Sequence, residues 1–476
     1  LAAEAAGAAL ADQAARAERQ VAADRERVEI ARRKAEDAEQ SRLESQARLG
    51  HLAAGAAGAT DEELIQALKA PAEDQDRGAR AALLHELQAR SADPSQKVAL
   101  WSDEHGARAA LLQAASVTGR KDRKARVCAM ASLWNLATEQ ANRQPMWADA
   151  AGARRVLVAS ARPDDPGGAQ VRTCAVAALQ HLSEEPANRE PMWTDAQGAR
   201  SAVVAAALEG DAALRELRER ALSTLWNMSS KAALCGPAMW ADKAGARRAL
   251  VEGAMLSGPE ERKARLRSVA ALHNLSAVPM SKSAMWLDVG TRAAFVAAAG
   301  LGGFEDRKAR SYALAGLQNI SADVAEGMWE DAAARRVILE AAVQDPCDDR
   351  KARASAMFVL QNLARAPANR AKIWEDADGR AAVLKAATDA DPGSREVREA
   401  GTATLLSLAS EASISGGMWE DDRVRAAVIQ AAALDDPLDG RVQLGALRVL
   451  QEFASAGPLK AAVWADEAAR SAALGA

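Results

Sequence analysis

Tyrosine is almost absent: Tyr312 stands alone, beside four Phe and eleven Trp in 476 residues. Aromatics are 3% of the chain. Strands favour β-branched and aromatic residues, so a sheet protein is disfavoured. Four cysteines in a chain this long exclude a disulfide scaffold. Two of them, Cys128 and Cys174, occupy one register in consecutive repeats. That separation is about one helix-to-helix distance, roughly 8–10 Å, which a disulfide cannot bridge. A reducing soluble compartment is expected, whether the cytoplasm or an organelle such as the plastid stroma. Long apolar runs are missing too. The longest, Ala293 to Phe304, is short and interrupted by glycine, so no membrane span is expected. Neither charge dominates, with 61 Lys and Arg against 65 Asp and Glu. A nucleic-acid partner would call for a basic surplus to displace counterions, so none is expected. The chain opens on Leu1, with no charged-then-apolar signal pattern. A targeting segment already removed, or a start lying upstream, is the expectation.

Catalytic signatures are missing as well. The five His (51, 85, 105, 181 and 273) and the cysteines form no His-x-x-x-His or Cys-x-x-Cys set. There is no Gly-x-x-x-x-Gly-Lys phosphate loop and no Gly-x-Ser-x-Gly elbow. The sequence predicts no enzyme, no cofactor and no metal.

What is present is alanine, roughly a quarter of the chain, and alanine is the strongest helix former. The tryptophans are periodic. Nine of the eleven fall at 101, 147, 193, 240, 286, 329, 374, 419 and 464, at intervals of 43 to 47. A fixed period of that length denotes stacked helical units. Two residues after each Trp stands an Asp: 103, 149, 195, 242, 288, 331, 376, 421 and 466. An Arg follows each Trp by seven residues at 108, 154, 200 and 247, and by six at 292, 335, 380, 425 and 470. One residue is lost midway without loss of either partner. Repetition in every unit points to structure: Asp as a helix cap that also pairs with one of the Arg ladders.

Each unit reads as three helices. A short first helix carries the Trp. Gly-Ala-Arg, as at Gly152–Arg154, ends it and opens the second. A Pro-, Gly- and Asp-rich loop follows, and the third helix runs from an Arg to a Leu-x-Asn-Leu ending. Val127, Met130, Leu133, Trp134 and Leu136 show its apolar period. A second Arg opens the third helix in seven of eight units, at 126, 172, 218, 265, 310, 353 and 398. In the runs Asp122–Arg126, Glu261–Arg265, Asp306–Arg310 and Asp349–Arg353, the expectation is a basic, solvated ridge.

Asn142-Arg143, Met146-Trp147, Gly152, Leu157-Val158, Arg172 and Ala178-Leu179 before Leu182 together resemble the armadillo repeat family over residues 75–476. The resemblance implies an all-α, right-handed α-solenoid of about eight repeats, starting at Trp101, Trp147, Trp193, Trp240, Trp286, Trp329, Trp374 and Trp419, with a partial unit at Trp464. Residues 62–100 read as a degenerate capping repeat, with Arg80, Leu83, Leu84 and Leu87 at third-helix positions. Residues 1–50 read as one long charged helical arm, about 75 Å if continuous, with a thin seam at Ala14, Val21, Val28 and Ala35. Residues 51–61 read as a flexible hinge. A free arm of this length is rarely ordered, so it is expected to dock on a partner.

In armadillo proteins the third helices line a concave groove, and their Asn residues hold the backbone of an extended partner. The resemblance places that role on Asn135, His181, Asn227, Asn274, Asn319, Asn362 and Ser407, with Glu452 in the eighth register. An alternative is that these Asn bond a neighbouring turn. Four residues earlier, where nuclear-import receptors of the family carry Trp, stand Ala131, Ala177, Ser223, Ala270, Ala315, Phe358, Ala403 and Arg448; nuclear import is disfavoured. Trp134 and Trp226, outside the periodic set, are candidate partner anchors or half-buried packing residues.

Two functions remain. The favoured one is a structural or linker subunit of a large multiprotein assembly. It would use the arm, the groove and an open C-terminal edge, and could lie peripheral to a membrane complex. The Ala- and Arg-rich style also resembles algal organellar chains, so a photosynthetic assembly is one expectation. The alternative is an adaptor that captures an extended peptide.

Overall fold

The computed structural model describes residues 20, 25–40, 43, 44, 47 and 50–475, apart from 70–76, 104, 105, 120, 121, 197, 231–234, 345 and 458. Among them every regular element is a helix. They form two compact bodies: residues up to 160 with 165–178, and residues 161–164 with 179–476. Each body is a stack of three-helix repeats. Repeat 5 is representative: a first helix Lys282–Leu287, a second Val289–Ala299 and a third Arg307–Ser321.

In the N-terminal body, residues 25–40 are helical and almost wholly exposed; residues 1–19, 21–24, 41, 42, 45, 46, 48 and 49 of the expected arm lie outside the described residues. The hinge expectation needs correction. Residues 51–54 are helical and Ala56–Gly58 is a 3-10 turn with Ala56 buried. Thr60 then caps the helix Asp61–Leu68, with a reciprocal bond from its own amide to Glu63. Arg90 fastens the segment by pairing with Asp61 and donating to the Ala59 carbonyl at 2.5 Å. Side-chain contacts from the next helix, Arg77–Ala92, fix a stretch whose Gly and Ala content suggests freedom. On that helix Arg80, Leu83, Leu84 and Leu87 are all buried.

The periodic Trp fill the core between first and second helices. Eight are at most 8% exposed, while Trp464 is 63% exposed. Every one of the nine carries the guanidinium of its following Arg over its ring, from 4.4 Å for Arg247 on Trp240 to 5.9 Å for Arg425 on Trp419. A buried Trp removes about 200 Å² from water, roughly 5 kcal/mol before entropy, and a desolvated cation adds about 1–2 kcal/mol. An aliphatic residue would supply only part of the first contribution.

The Asp ladder caps the second helices in two ways. In repeats 1–4 the helix starts four residues on, and the carboxylate accepts from Ala107, Ala153, Ala199 or Ala246 at 2.8–3.0 Å. From repeat 5, where one residue is missing, Asp is itself the N-cap, as in Asp288 accepting from Thr291 at 2.8 Å. In the first design a glycine separates Asp from the helix because a Cβ there would overlap the carboxylate. Arg ladder and Asp ladder also meet across repeats in the C-terminal body: Arg247–Asp288 at 3.5 Å, Arg292–Asp331 at 3.4 Å and Arg335–Asp376 at 3.9 Å.

The third-helix Arg ladder is buried throughout, at 1–7% exposure. Arg310 is typical. It donates to the Leu301 carbonyl at 2.6 Å, at the end of its own second helix, and pairs with Asp349 of the next repeat at 3.0 Å. Arg218–Glu261, Arg265–Asp306 and Arg398–Asp439 repeat this at 2.6–2.8 Å. The solvated ridge is thereby corrected at its two ends: the acid and the last Arg of each of its three C-terminal-body runs are buried, and only the middle of each run reaches solvent.

The capping geometry predicts opposite outcomes for two Gly→Ala changes. Gly198→Ala displaces the Asp195 carboxylate and costs about 1 kcal/mol, the worth of an N-cap. Gly416→Ala, in a helix with nothing within 4 Å of its added Cβ, gains about 0.5–1 kcal/mol. Urea unfolding compares the two; equal effects would contradict the assignment.

Candidate protein-binding surface

The third helices of successive repeats present one face. In the C-terminal body these are Arg215–Met228, Arg262–Ser276, Arg307–Ser321, Pro346–Arg365, Arg395–Ala409 and Gly440–Ser455. The candidate Asn residues sit half-buried at its C-terminal end. Their amides are engaged within the fold. Asn227, Asn274, Asn319 and Asn362 donate to Ser183, Ser229, Ser276 and Ser321 of the preceding repeat at 2.8–3.1 Å. In the N-terminal body Asn135 donates to Ser91 at 3.0 Å. Each Ser hydroxyl in turn donates to the carbonyl three residues back, at 2.5–2.9 Å.

The sequence carries this pairing, one repeat apart. Wherever the register holds Asn, the preceding repeat holds Ser. Ahead of His181, Ser407 and Glu452 it holds Ala137, Ala364 and Ala409. Those three side chains turn elsewhere. His181 Nδ1 lies 3.0 Å from a Glu184 oxygen, the Ser407 hydroxyl returns to its own Ala403 carbonyl at 3.2 Å, and Glu452 is exposed.

A second Asn set packs inside the repeats. Asn142, Asn188 and Asn369 are at most 2% exposed. Each donates to the carbonyl six residues back, at 3.0–3.1 Å, closing the end of a third helix. Asn142 also reaches the Lys97 carbonyl, and Asn369 that of Ala325, both at 3.0 Å.

Trp134 and Trp226 are half-buried. Arg267 of the next third helix covers the Trp226 ring at 4.6 Å. Further along the face, the rings of His273 and Tyr312 are 5.5 Å apart, and Phe358 shares their cavity.

Among the described residues no cluster of three or more His, Cys, Asp or Glu could hold a metal ion. Cys128 and Cys235 are free thiols. Burial pushes Cys235 up to about 11, far from the depressed values of reactive thiolates. No helix among the described residues is long and apolar enough to cross a membrane.

No protein-family model and no curated protein matches the chain. Solved structures do. A chain from work on the phosphorylation switch between cadherin and beta-catenin superposes over 83% of this chain and 69% of its own, with a TM-score of 0.63 and 16% identity. The fold is an armadillo-like α-solenoid. An engineered protein superposes over 83% of this chain and 99% of its own, with a TM-score of 0.53 and 19% identity. At these identities the likeness concerns the solenoid's backbone.

The Asn–Ser bonds predict a stability effect. Asn362→Ala loses the bond to Ser321 and costs about 1 kcal/mol. Ser407→Ala stays within about 0.5 kcal/mol. If both variants unfold in urea like the parent chain, the Asn ladder does not hold the repeats together.

Proposed function

We propose that the chain is a non-enzymatic armadillo-type scaffold, a structural or linker subunit of a larger protein assembly. The observation carrying this reading is the engagement of the Asn ladder. Five amides that a peptide-gripping groove would direct to a guest bind serines of the neighbouring repeat instead. The described part of the arm supports it. Val28, Ile30 and Leu43 are 49–68% exposed there, large apolar side chains on a helix rich in charge, which suits docking on another protein.

The adaptor reading keeps one specific support, the aromatic cavity of Tyr312 and Phe358 on the third-helix face. It is compatible with a scaffold that also receives one partner segment.

On a native gel of source-cell extract, the chain is expected to migrate with a large complex. Deleting residues 1–50 is expected to release it. A full-length chain that migrates alone would refute the subunit reading.

A further inference from the structure

The third helices of repeats 4 to 7 line an open cavity of about 510 Å³. Tyr312, Phe358, His273, Lys308, Lys351 and Glu396 are among the residues that line it. Tyr312 and Phe358 are half-buried and both lysines are exposed. Phe358 is the one large aromatic in the register four residues before the Asn series, and Tyr312 is the chain's one tyrosine.

The lysines belong to a row. Two residues before the buried Arg of each third helix, repeats 4, 5 and 6 carry Lys263, Lys308 and Lys351. The flanking repeats carry Glu216 and Glu396 in the same register. Lys263 lies 3.8 Å from Glu219, whereas Lys308 and Lys351 form no ion pair with a described residue. The acid two residues before each lysine and the Arg two residues after it behave differently: they are bound into the contacts between repeats. The two lysines are therefore not required for stacking.

We infer that this cavity receives an extended acidic segment of a partner protein, one bulky apolar side chain entering between Tyr312 and Phe358 and carboxylates meeting Lys308 and Lys351. The inference rests on the scaffold reading and adds the chemistry of the partner. Helices spaced about 8–10 Å apart put the three lysines across roughly 20 Å, the reach of about six extended residues. Glu216 and Glu396, the second of which lines the cavity itself, repel acidic chain at the two ends of that window and so limit the footprint. The Asn ladder, engaged at the other end of the same helices, contributes nothing to this grip. Trp226, the anchor expected from sequence, is already covered by Arg267.

The test uses the full chain and fluorescein-labelled peptides of about twelve residues, long enough to cross the window. One is Glu-rich with a central Phe, the second replaces the Phe by Ser, and the third replaces every Glu by Lys. Fluorescence anisotropy should show binding of the first alone, weakening as salt is raised. The double variant Lys308→Glu/Lys351→Glu should weaken it at least tenfold. Both sites are exposed, and circular dichroism checks that the fold is kept. Phe358→Ala should weaken the Phe peptide toward the Ser one.

Equal binding of the Glu and Lys peptides, or an affinity unmoved by the double variant, would overturn the site. So would a single-stranded oligonucleotide of similar length that displaces the peptide and binds more tightly, since that would assign the row to nucleic acid. If no acidic peptide binds while the chain still migrates with its complex on the native gel, this site fails and the scaffold stands. If the chain migrates alone, the scaffold fails.

Discussion

A buried guanidinium in six of the repeats, from Arg126, Arg218, Arg265, Arg310, Arg353 and Arg398, is the contact on which the rest of the architecture depends. It leaves the first turns of a third helix, closes the carbonyl end of its own second helix, and takes a carboxylate from the next repeat. Burying a charge is costly unless it is paired and hydrogen-bonded, and removing one partner leaves the other stranded. Each repeat is thus stable in this form only against its neighbour, the nearest-neighbour logic of repeat proteins. The acid usually occupies the position four residues before the next repeat's Arg register, as in Glu261, Asp306, Asp349 and Asp439. Where that position is Gly168 or Ser394, Asp165 or Asp389 from the preceding loop takes its place. In repeat 8 the neutral Gln443 stands in the Arg register and keeps only the carbonyl contact, to Ala432 at 3.3 Å. The chemistry is preserved while the residue that supplies it shifts.

The lopsided aromatic composition follows from a second repeated contact. Trp is used where one residue must fill the space between two short helices and also offer a face to a cation. From repeat 5 onward the same Arg donates to the Trp carbonyl at 2.6–3.2 Å, so a six-residue spacing lets one side chain satisfy both the ring and a helix end. The lost residue midway along the chain changes the cap from a loop Asp to an N-cap Asp, and the stack continues.

Much of this was legible. The Trp period gives the repeats, the Leu-x-Asn-Leu endings give the third helices, and the fixed Asp and Arg offsets point to caps and pairs. The choice of pairing was not legible, because partners lie 36 to 43 residues apart and two Arg ladders compete for each acid. The basic runs looked solvated because local charge cannot reveal that residues one and five of each face a neighbouring repeat. Residues 51–61 looked free because Gly and Ala composition says nothing of Arg90, though the Thr60–Glu63 capping box is itself a sequence signal. For the candidate site, family likeness drew attention to the Asn residues singly. Comparing each with the residue one repeat earlier separates five Asn–Ser pairs from three positions without either, and that comparison needs only the sequence.

The central claim is that buried Arg–acid pairs couple adjacent repeats. A double-mutant cycle on Arg398 and Asp439, followed by urea unfolding across pH, tests it most directly. The hydrogen bond from Arg398 holds the Asp439 carboxyl below the usual carboxylate range. Its contribution is therefore present above about pH 4 and is lost as pH falls through the lowered value. At pH 7, Arg398→Met and Asp439→Asn should each cost about 3–5 kcal/mol. The double variant should cost clearly less than their sum, by about 0.5–3 kcal/mol, and that coupling should vanish in acid once Asp439 is protonated. Additive single effects at pH 7, or a coupling that does not change with pH, would contradict the account.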